Sequence, residues 1–384
     1  MRILYVSNVR SHIGQFHTSF INLLHENGHT IDVSCFDNSA DKDGYDFEAI
    51  NQFKFIPLQR SPFKLQNLKA ISQLKNIIKS GNYDLIHCHT PMGAVAARVA
   101  AKRAKSKAAV IYTAHGFHFF KGASIMNWLF FYPVEKLLAH YTNTLITINT
   151  EDYNLAKNKK FKVKDQIVKI NGVGVDLSKF SVATIEDKQQ LRKEYGYGED
   201  EFILIYPADY SHRKNHEMLF ETVSKLKEKI PTIKVLMPGY QPRLEEYKKI
   251  VSDLGITQHI EMLGYRRDIH KLIALSDISV SVSRQEGLPV NLIEALAIGK
   301  PIVATDVRGN SDLVENGVNG FLAELNNSEQ MAEEILEIYK NSCLAEKMSH
   351  EAVEMSKKYS IENVNKDLVN IYQKYEINFD KIPN

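Results

Sequence analysis

Short apolar runs of strand length alternate with longer amphipathic segments, and the alternation starts afresh near the middle of the chain. Residues 3–7, 30–35, 53–57, 85–88, 109–113 and 144–148 read as strands, with helices over 65–80, 93–104 and 128–141. A second series follows at 202–206, 234–238, 260–263, 278–282 and 302–305, each run trailed by a helical or turn segment. Strands that alternate with helices pair in parallel, because a parallel neighbour needs a crossover long enough to hold a helix. At 384 residues the chain exceeds one ordinary domain, and two such α/β domains divide it. The first opens as a βαβ unit, with a turn at 11–14 and a helix to about Asn27. Asn171-Gly-Val-Gly-Val-Asp176 is a glycine-bearing turn suited to a hinge, and it puts the domain boundary between residues 172 and 173. Ligands of open parallel sheets bind beyond the carboxyl ends of the strands, so a cleft between two facing domains is the expected site.

The strongest chemical signal lies in the second series. Glu286 opens a tight Gly287-Leu288-Pro289 turn, and from Leu288 to Ile298 only Asn291 and Glu294 are strongly polar. Pro289 suits the first helical position, where its missing N–H has no intrahelical partner anyway, and Gly299-Lys300-Pro301 supplies the stop. Asn291 and Glu294 stand three apart and share a face. A lone carboxylate there needs a partner, and a ligand rich in hydroxyls can supply one. Unpaired N–H groups at the start of the helix, with the positive end of its dipole, suit a phosphate. At a rise of ~1.5 Å per residue, eight residues cover roughly 12 Å, about the length of a sugar, a diphosphate and a ribose in line. On this reading Glu286 holds a sugar and Glu294 a ribose. The same spacing also fits a capping acid followed by a surface acid paired with a lysine.

Met1-Arg2 runs straight into an apolar strand with no secretory signal in view. The longest apolar stretch, 125–134, is broken by Asn127 and Pro133 and falls short of the ~20 residues a spanning helix needs. Cys35, Cys88 and Cys343 lie far apart without paired spacing, as expected of reduced thiols in a cytoplasmic protein. The net charge of +2 hides an asymmetry, since residues 1–170 carry 22 basic against 12 acidic side chains and the remainder 26 against 34. Lys102, Arg103, Lys105 and Lys107, with the lysines of 157–164, concentrate the positive charge around the aromatic segment 117–132. A surface of this kind can rest on anionic lipid headgroups, at ~1 kcal/mol per nearby charge, which implies a peripheral position on the inner face of the cell membrane. It also fits a solvated face near a buried helix. No nucleic-acid reader motif accompanies the basic residues, and the acidic second half argues against such a partner.

Taken together these residues resemble glycosyltransferase family 4, and the likeness covers nearly the whole chain. It is carried by Glu286-Gly-Leu-Pro through Glu294-Ala to Gly317-Val-Asn-Gly-Phe-Leu322, with Asp84-Leu-Ile-His-Cys-His89, Thr113-Ala-His-Gly116 and Asn171-Gly-Val-Gly-Val-Asp176 in support. His115-Gly-Phe-His-Phe-Phe-Lys-Gly122 with Tyr132-Pro-Val-Glu-Lys136 is similar to the bacterial capsule and exopolysaccharide branch. The resemblance implies the GT-B fold, an α/β architecture of two facing Rossmann-like domains with a deep cleft. Residues 1–172 would be the acceptor-side domain and 173–360 the nucleotide-sugar domain, with a C-terminal helix, within about 361–384, crossing back to the first. It further implies a retaining, metal-independent transfer of a hexose or N-acetylhexosamine from a nucleoside diphosphate sugar, usually a UDP-sugar. A lipid-linked saccharide accepts, and no cofactor takes part.

The family pattern places the donor sugar's hydroxyls on Glu286, the ribose on Glu294, and the diphosphate on the N–H groups of Gly287 and Leu288. Lys214 neutralises the leaving diphosphate, Gly14 lets the first turn approach it, and His115 meets the reacting end of the sugar. His12, His17 and His89 are acceptor-side candidates. Two positions depart from the pattern. Ala208 stands where the family carries an arginine, which raises the question of whether Arg213 replaces it, and the paired glycine of the first turn is thinned to Gly14. His87, His89, His115 and His118 invite a metal reading, but no Asp, Glu or Cys cluster accompanies them, and no metal is expected. A sugar-nucleotide epimerase shares the fold but not the full run from Glu286 to Phe321. A catalytically idle nucleotide-binding subunit of another transferase is the third class, and the missing arginine argues for it.

Overall fold

The computed structural model describes residues 1–40 and 44–382, and the chain divides into two compact units. Met1–Gly174 and the residues from Ile361 onward form the first, and Val175–Ser360 the second.

In the first unit the strands are β1 (Arg2–Val9), β2 (Thr30–Phe36), β3 (Gln52–Phe55), β4 (Leu85–His89), β5 (Ala109–Ala114), β6 (Thr144–Thr147) and β7 (Gln166–Lys169). They form one parallel sheet in the order β3-β2-β1-β4-β5-β6-β7. The central strands are buried along nearly their whole length, which is why they read as unbroken apolar runs. The edge strand β7 buries only Ile167 and gives no such signal, so the sequence reading passes over it. Helices α1 (Arg10–Phe16), α2 (Thr18–Glu26), α3 (Gln66–Gly81), α4 (Pro91–Ala104), α5 (Ile125–Leu138) and α6 (Thr150–Asn158) make the crossovers.

The first crossover differs from expectation. Residues 11–14 are not a turn but the middle of α1, and the helix breaks at His17, where φ is −128° and ψ −6°, before α2 begins. Gly14 is buried in α1, and a Cβ there would lie 2.4 Å from the Tyr45 ring. The missing side chain makes room for that ring, not for an open turn. Helix α5 starts three residues earlier than the apolar pattern suggests, because Ser124 caps it by accepting from the Asn127 N–H at 3.2 Å.

A buried ion pair fixes α5 to α4. Arg98 Nη2 donates to Glu135 Oε2 at 2.8 Å, and the guanidinium lies 4.3 Å from the centre of the Tyr112 ring. Both residues are buried, so each charge depends on the other.

The second unit contains β8 (Phe202–Ile205), β9 (Ile233–Pro238), β10 (Ile260–Gly264), β11 (Ile278–Ser281), β12 (Ile302–Thr305) and β13 (Gly320–Ala323), parallel in the order β10-β9-β8-β11-β12-β13. Its helices are α7 (Ile185–Tyr195), α8 (His216–Leu226), α9 (Leu244–Asp253), α10 (Ile269–Leu275), α11 (Val290–Ala297), α12 (Asn310–Leu313), α13 (Ser328–Lys340) and α14 (Ser342–Ser356). The last helix, α15 (Ile361–Gln373), belongs to the first unit. Its Tyr372 hydroxyl bonds Tyr5 at 3.0 Å and His87 Nδ1 at 2.6 Å, and Asn365 donates to the Ser19 hydroxyl at 3.1 Å. Each sheet reverses its strand order once, at β1/β4 and at β8/β11, and these are the positions where doubly wound sheets leave a crevice.

Glu135→Ala leaves the Arg98 guanidinium buried without its counter-charge, and should cost about 3–5 kcal/mol of stability. Urea melts of the two proteins measure this; an unchanged midpoint would show that water reaches Arg98.

Candidate functional site

In the second unit the chemistry gathers at the carboxyl rim of β8, β11 and β12. After β8 the chain makes a single 3-10 turn, His212–Lys214, and leaves it through Asn215 at φ +53°. Tyr206 holds this loop by donating to the Lys214 carbonyl at 2.8 Å, and its hydroxyl also lies 2.9 Å from Ser283 Oγ. Lys214 Nζ donates to Glu286 Oε1 at 2.6 Å and Arg213 Nη1 to Oε2 at 3.1 Å. The two neighbouring basic side chains therefore converge on one carboxylate. Burial by itself would raise the Glu286 pKa, but the Lys214 and Arg213 charges outweigh it and hold the carboxyl below its usual range. Ala208 is buried and brings no charge, and the second cation on the Glu286 carboxylate is Arg213.

Glu286 is set by its backbone as well. Arg308, beyond β12, donates from Nε to the Glu286 carbonyl at 2.8 Å. Gly309, at φ +84°, passes so close that a Cβ would lie 2.7 Å from the Gly287 carbonyl oxygen, and only glycine fits. Arg308 was not among the residues singled out in the sequence. The signal was available, since an Arg-Gly pair directly after β12 must reach the same rim as Glu286 after β11.

The helix after Glu286 begins one residue later than expected. Pro289 is its N-cap, with extended geometry (φ −75°, ψ 112°), and Val290 is the first helical residue. The N–H groups of Gly287 and Leu288 have no hydrogen-bond partner among the described residues. Asn291 is not aimed at a ligand, because its side chain donates to the Pro207 carbonyl at 3.2 Å and ties α11 to the end of β8. The Glu294 carboxyl has no hydrogen-bond partner among the described residues. Burial raises its pKa to about 7, and the nearby Lys179 charge only partly offsets the shift.

In the first unit four histidines meet at the carboxyl rim. His12 lies in α1, His17 at the α1–α2 break, His89 ends β4 and His115 follows β5. His12 Nε2 and His17 Nε2 are 3.3 Å apart, as are His89 Nδ1 and His115 Nε2. Burial pushes His115 down to about 4 and holds the other three well below the usual range, so all are uncharged at neutral pH. Of the histidines paired by strand alternation, His87 instead bonds Tyr372 and, at 2.8 Å, Thr113, while His118 is exposed against Phe131.

Beside this cluster runs an apolar groove of about 1060 Å³, walled by Phe63, Leu65 and Leu68 near the start of α3 and by Met126, Phe130 and Val134 on α5. These six side chains are exposed, which is unusual for so many large apolar groups in one place. His12 also lines it. Lys102, Arg103, Lys105 and Lys107, at the end of α4, are exposed too. Among the described residues no helix is long and apolar enough to cross a membrane.

The chain is thus two doubly wound units, the second with a cation-clamped carboxylate beside N–H groups that have no partner among the described residues. Residues 2–149 match the family described as "Glycosyl transferase 4-like", and residues 187–355 that described as "Glycosyl transferases group 1". Over 375 residues, 97% of each chain, the sequence is 38% identical to the "Putative glycosyltransferase EpsD" of Bacillus subtilis. It is 28% identical, over 71% of this chain and 70% of the other, to an Escherichia coli UDP-Gal:alpha-D-GlcNAc-diphosphoundecaprenol alpha-1,3-galactosyltransferase. The structure of Anabaena HepE in complex with UDP and glucose superposes with a TM-score of 0.79 at 20% identity, covering 97% of this chain and all of that one. The chain belongs to glycosyltransferase family 4, with the GT-B fold, and is a glycosyltransferase.

The raised Glu294 pKa carries a sign. Its neutral form stabilises the folded protein fully below the ordinary value of 4.5, and this contribution is lost as pH rises through about 7. Thermal melts of wild type and Glu294→Gln without ligand should therefore favour the variant more at about pH 8 than at about pH 4. An equal gap at both would mean that the carboxyl titrates normally.

Proposed function

We propose that the protein transfers a hexose or N-acetylhexosamine from a UDP-sugar to a lipid-linked saccharide during assembly of a bacterial capsule or exopolysaccharide. The observation that carries the donor half is the Glu286 carboxylate clamped by Lys214 and Arg213 beside the free N–H groups of Gly287 and Leu288. With no ligand, both cations pair with Glu286 and one positive charge is left over. A donor diphosphate offers them a stronger anion, and the released carboxylate is free to accept from sugar hydroxyls. As the glycosidic bond to phosphate stretches, negative charge grows on the leaving diphosphate, and the cations and N–H groups stabilise it there. These fixed positive groups do the work a divalent ion does elsewhere, so the transfer step requires no metal. Glu294, unpartnered in α11, takes the ribose hydroxyls. His115 keeps its proposed role at the reacting end of the sugar, where developing positive charge favours retention through a polar, uncharged neighbour.

The acceptor half rests on the apolar groove. Its exposed aromatic and aliphatic walls match a lipid chain, and the four basic residues ending α4 match the anionic surface in which such a lipid sits. The Escherichia coli relative, by name, acts on a diphosphoundecaprenol-linked sugar, which supports the same acceptor class here. On this reading the protein works at the cytoplasmic face of the membrane, held there peripherally. An epimerase would have no use for a lipid groove, and an idle subunit none for a complete cation clamp.

Lys214→Ala and Arg213→Ala should each slow transfer by roughly 10- to 100-fold, the worth of a charge-assisted hydrogen bond to phosphate. Initial rates with a UDP-sugar panel measure this, and adding magnesium or manganese should restore neither variant. A normal rate in Arg213→Ala would leave Lys214 and the backbone as the whole phosphate site.

The groove is tested separately. Met126→Ser with Phe130→Ser should lower the rate on a lipid-linked acceptor about 10-fold, by loss of buried apolar area, and leave a soluble acceptor unaffected. Equal loss on both acceptors would remove the groove from acceptor binding.

A further inference from the structure

The direction of the donor clamp depends on the backbone from Arg213 to Asn215, and Arg284 grips that segment from both sides. Tyr206 fixes the carbonyl of Lys214 in its middle. The Arg284 N–H donates to the Arg213 carbonyl at 2.8 Å, and Arg284 Nη2 donates to Asn215 Oδ1. The other arm of the guanidinium, Nη1, donates to Asn326 Oδ1 at 3.0 Å, in the turn after β13. Both asparagines sit in the left-handed region, at φ +53° and +66°. Residues other than glycine keep that conformation where their surroundings hold them in it. Arg284 therefore ties together the loops after β8, β11 and β13 at the point where the chain turns out of the Lys214 segment.

The charge at this tie has a meaning of its own. The guanidinium is half-buried, and its partners are amide oxygens, with no carboxylate among the described residues. It adds a third positive charge to a pair of loops where Arg213 and Lys214 share the single carboxylate of Glu286. Like charges gathered in this way repel one another, and a bound anion offsets the repulsion.

We propose that Arg284 is a positioning residue of the donor site, which acts through Arg213 and Lys214 by fixing the turn that aims both side chains at Glu286 and at the diphosphate beside it. No direct contact with the donor is assigned to Arg284. The inference rests on the reading of Arg213 and Lys214 as the cations that stabilise the leaving diphosphate. A misplacement of about 1 Å at such a group is felt in turnover, so the effect of Arg284 belongs to kcat. The acceptor groove lies in the other unit and should not sense it.

The test measures initial rates of the full-length protein with a panel of UDP-sugars. Arg284→Met should lower kcat roughly 10-fold and leave the acceptor KM unchanged. Arg284→Lys keeps the charge but loses the planar fork that reaches two asparagines, and should be as slow as Arg284→Met. Asn215→Gly keeps the left-handed turn while removing the amide oxygen, so it should slow transfer to a similar extent, and adding Arg284→Met to it should change little. In a Lys214→Ala background, Arg284→Met should cost no more than about 3-fold, because its route of action is already cut. Circular dichroism checks that each variant is folded. Full activity in Arg284→Lys would show that charge alone matters and would overturn the positioning role. A normal kcat in Arg284→Met, or an undiminished loss in the Lys214→Ala background, would overturn it too. A wild-type rate in Lys214→Ala itself would instead bring down the donor reading, which keeps the two failures apart.

Discussion

Each unit is a single parallel sheet, and that constraint sets everything else. A parallel strand cannot return by a hairpin, so every connection crosses over through a helix or long loop, and all strands end on one rim. At that rim the chain is free of the sheet's hydrogen bonding and can present side chains. Lys214 follows β8, Glu286 follows β11 and Arg308 follows β12, while His89 ends β4 and His115 follows β5. Residues as far apart in sequence as Lys214 and Glu286 meet because their strands are neighbours that end together.

Electrostatics then shapes the second rim. A buried carboxylate is affordable only with counter-charges, and Glu286 has two. Two cations on one carboxylate leave this rim with a net positive charge. Glu294, by contrast, has no such partner and keeps its proton into the neutral range. Two glutamates eight positions apart thus differ: one is ionised and clamped, the other holds its proton up to about pH 7. The difference lies in what surrounds them, not in their type.

The first unit uses a buried pair for a mechanical end. Arg98 and Glu135 hold α5 against α4 beneath the surface, while the other face of α5 shows Ile125, Met126, Leu129 and Phe130 to solvent. A helix exposing that much apolar surface would otherwise turn it inward, and the ion pair under Glu135 keeps its orientation fixed. On the opposite side of the same sheet region, Tyr372 of α15 reaches His87 and Tyr5, so the last helix of the chain is bonded to the interior of the first unit.

The sequence by itself determined the α/β class, the restart of the pattern near the middle, and the run from Glu286 to Glu294, because these follow from apolar periodicity and from residue chemistry within a few positions. It was weaker where local signal is thin. The edge strands β7 and β13 carry few buried residues, Gly14 looked like a turn because its neighbour Tyr45 is distant in sequence, and Pro289 fell one place outside the helix. Only the tertiary structure decided that Arg213 and Lys214 point the same way, since a 3-10 turn held by Tyr206 sets their direction. Only it brought Arg308 under Glu286 and spent Asn291 on Pro207. The histidines make the point most sharply. Strand alternation paired His87 with His89, but the break in α1 at His17 and the ends of β4 and β5 assembled a different four, because proximity at a sheet rim is set by strand order and not by spacing along the chain.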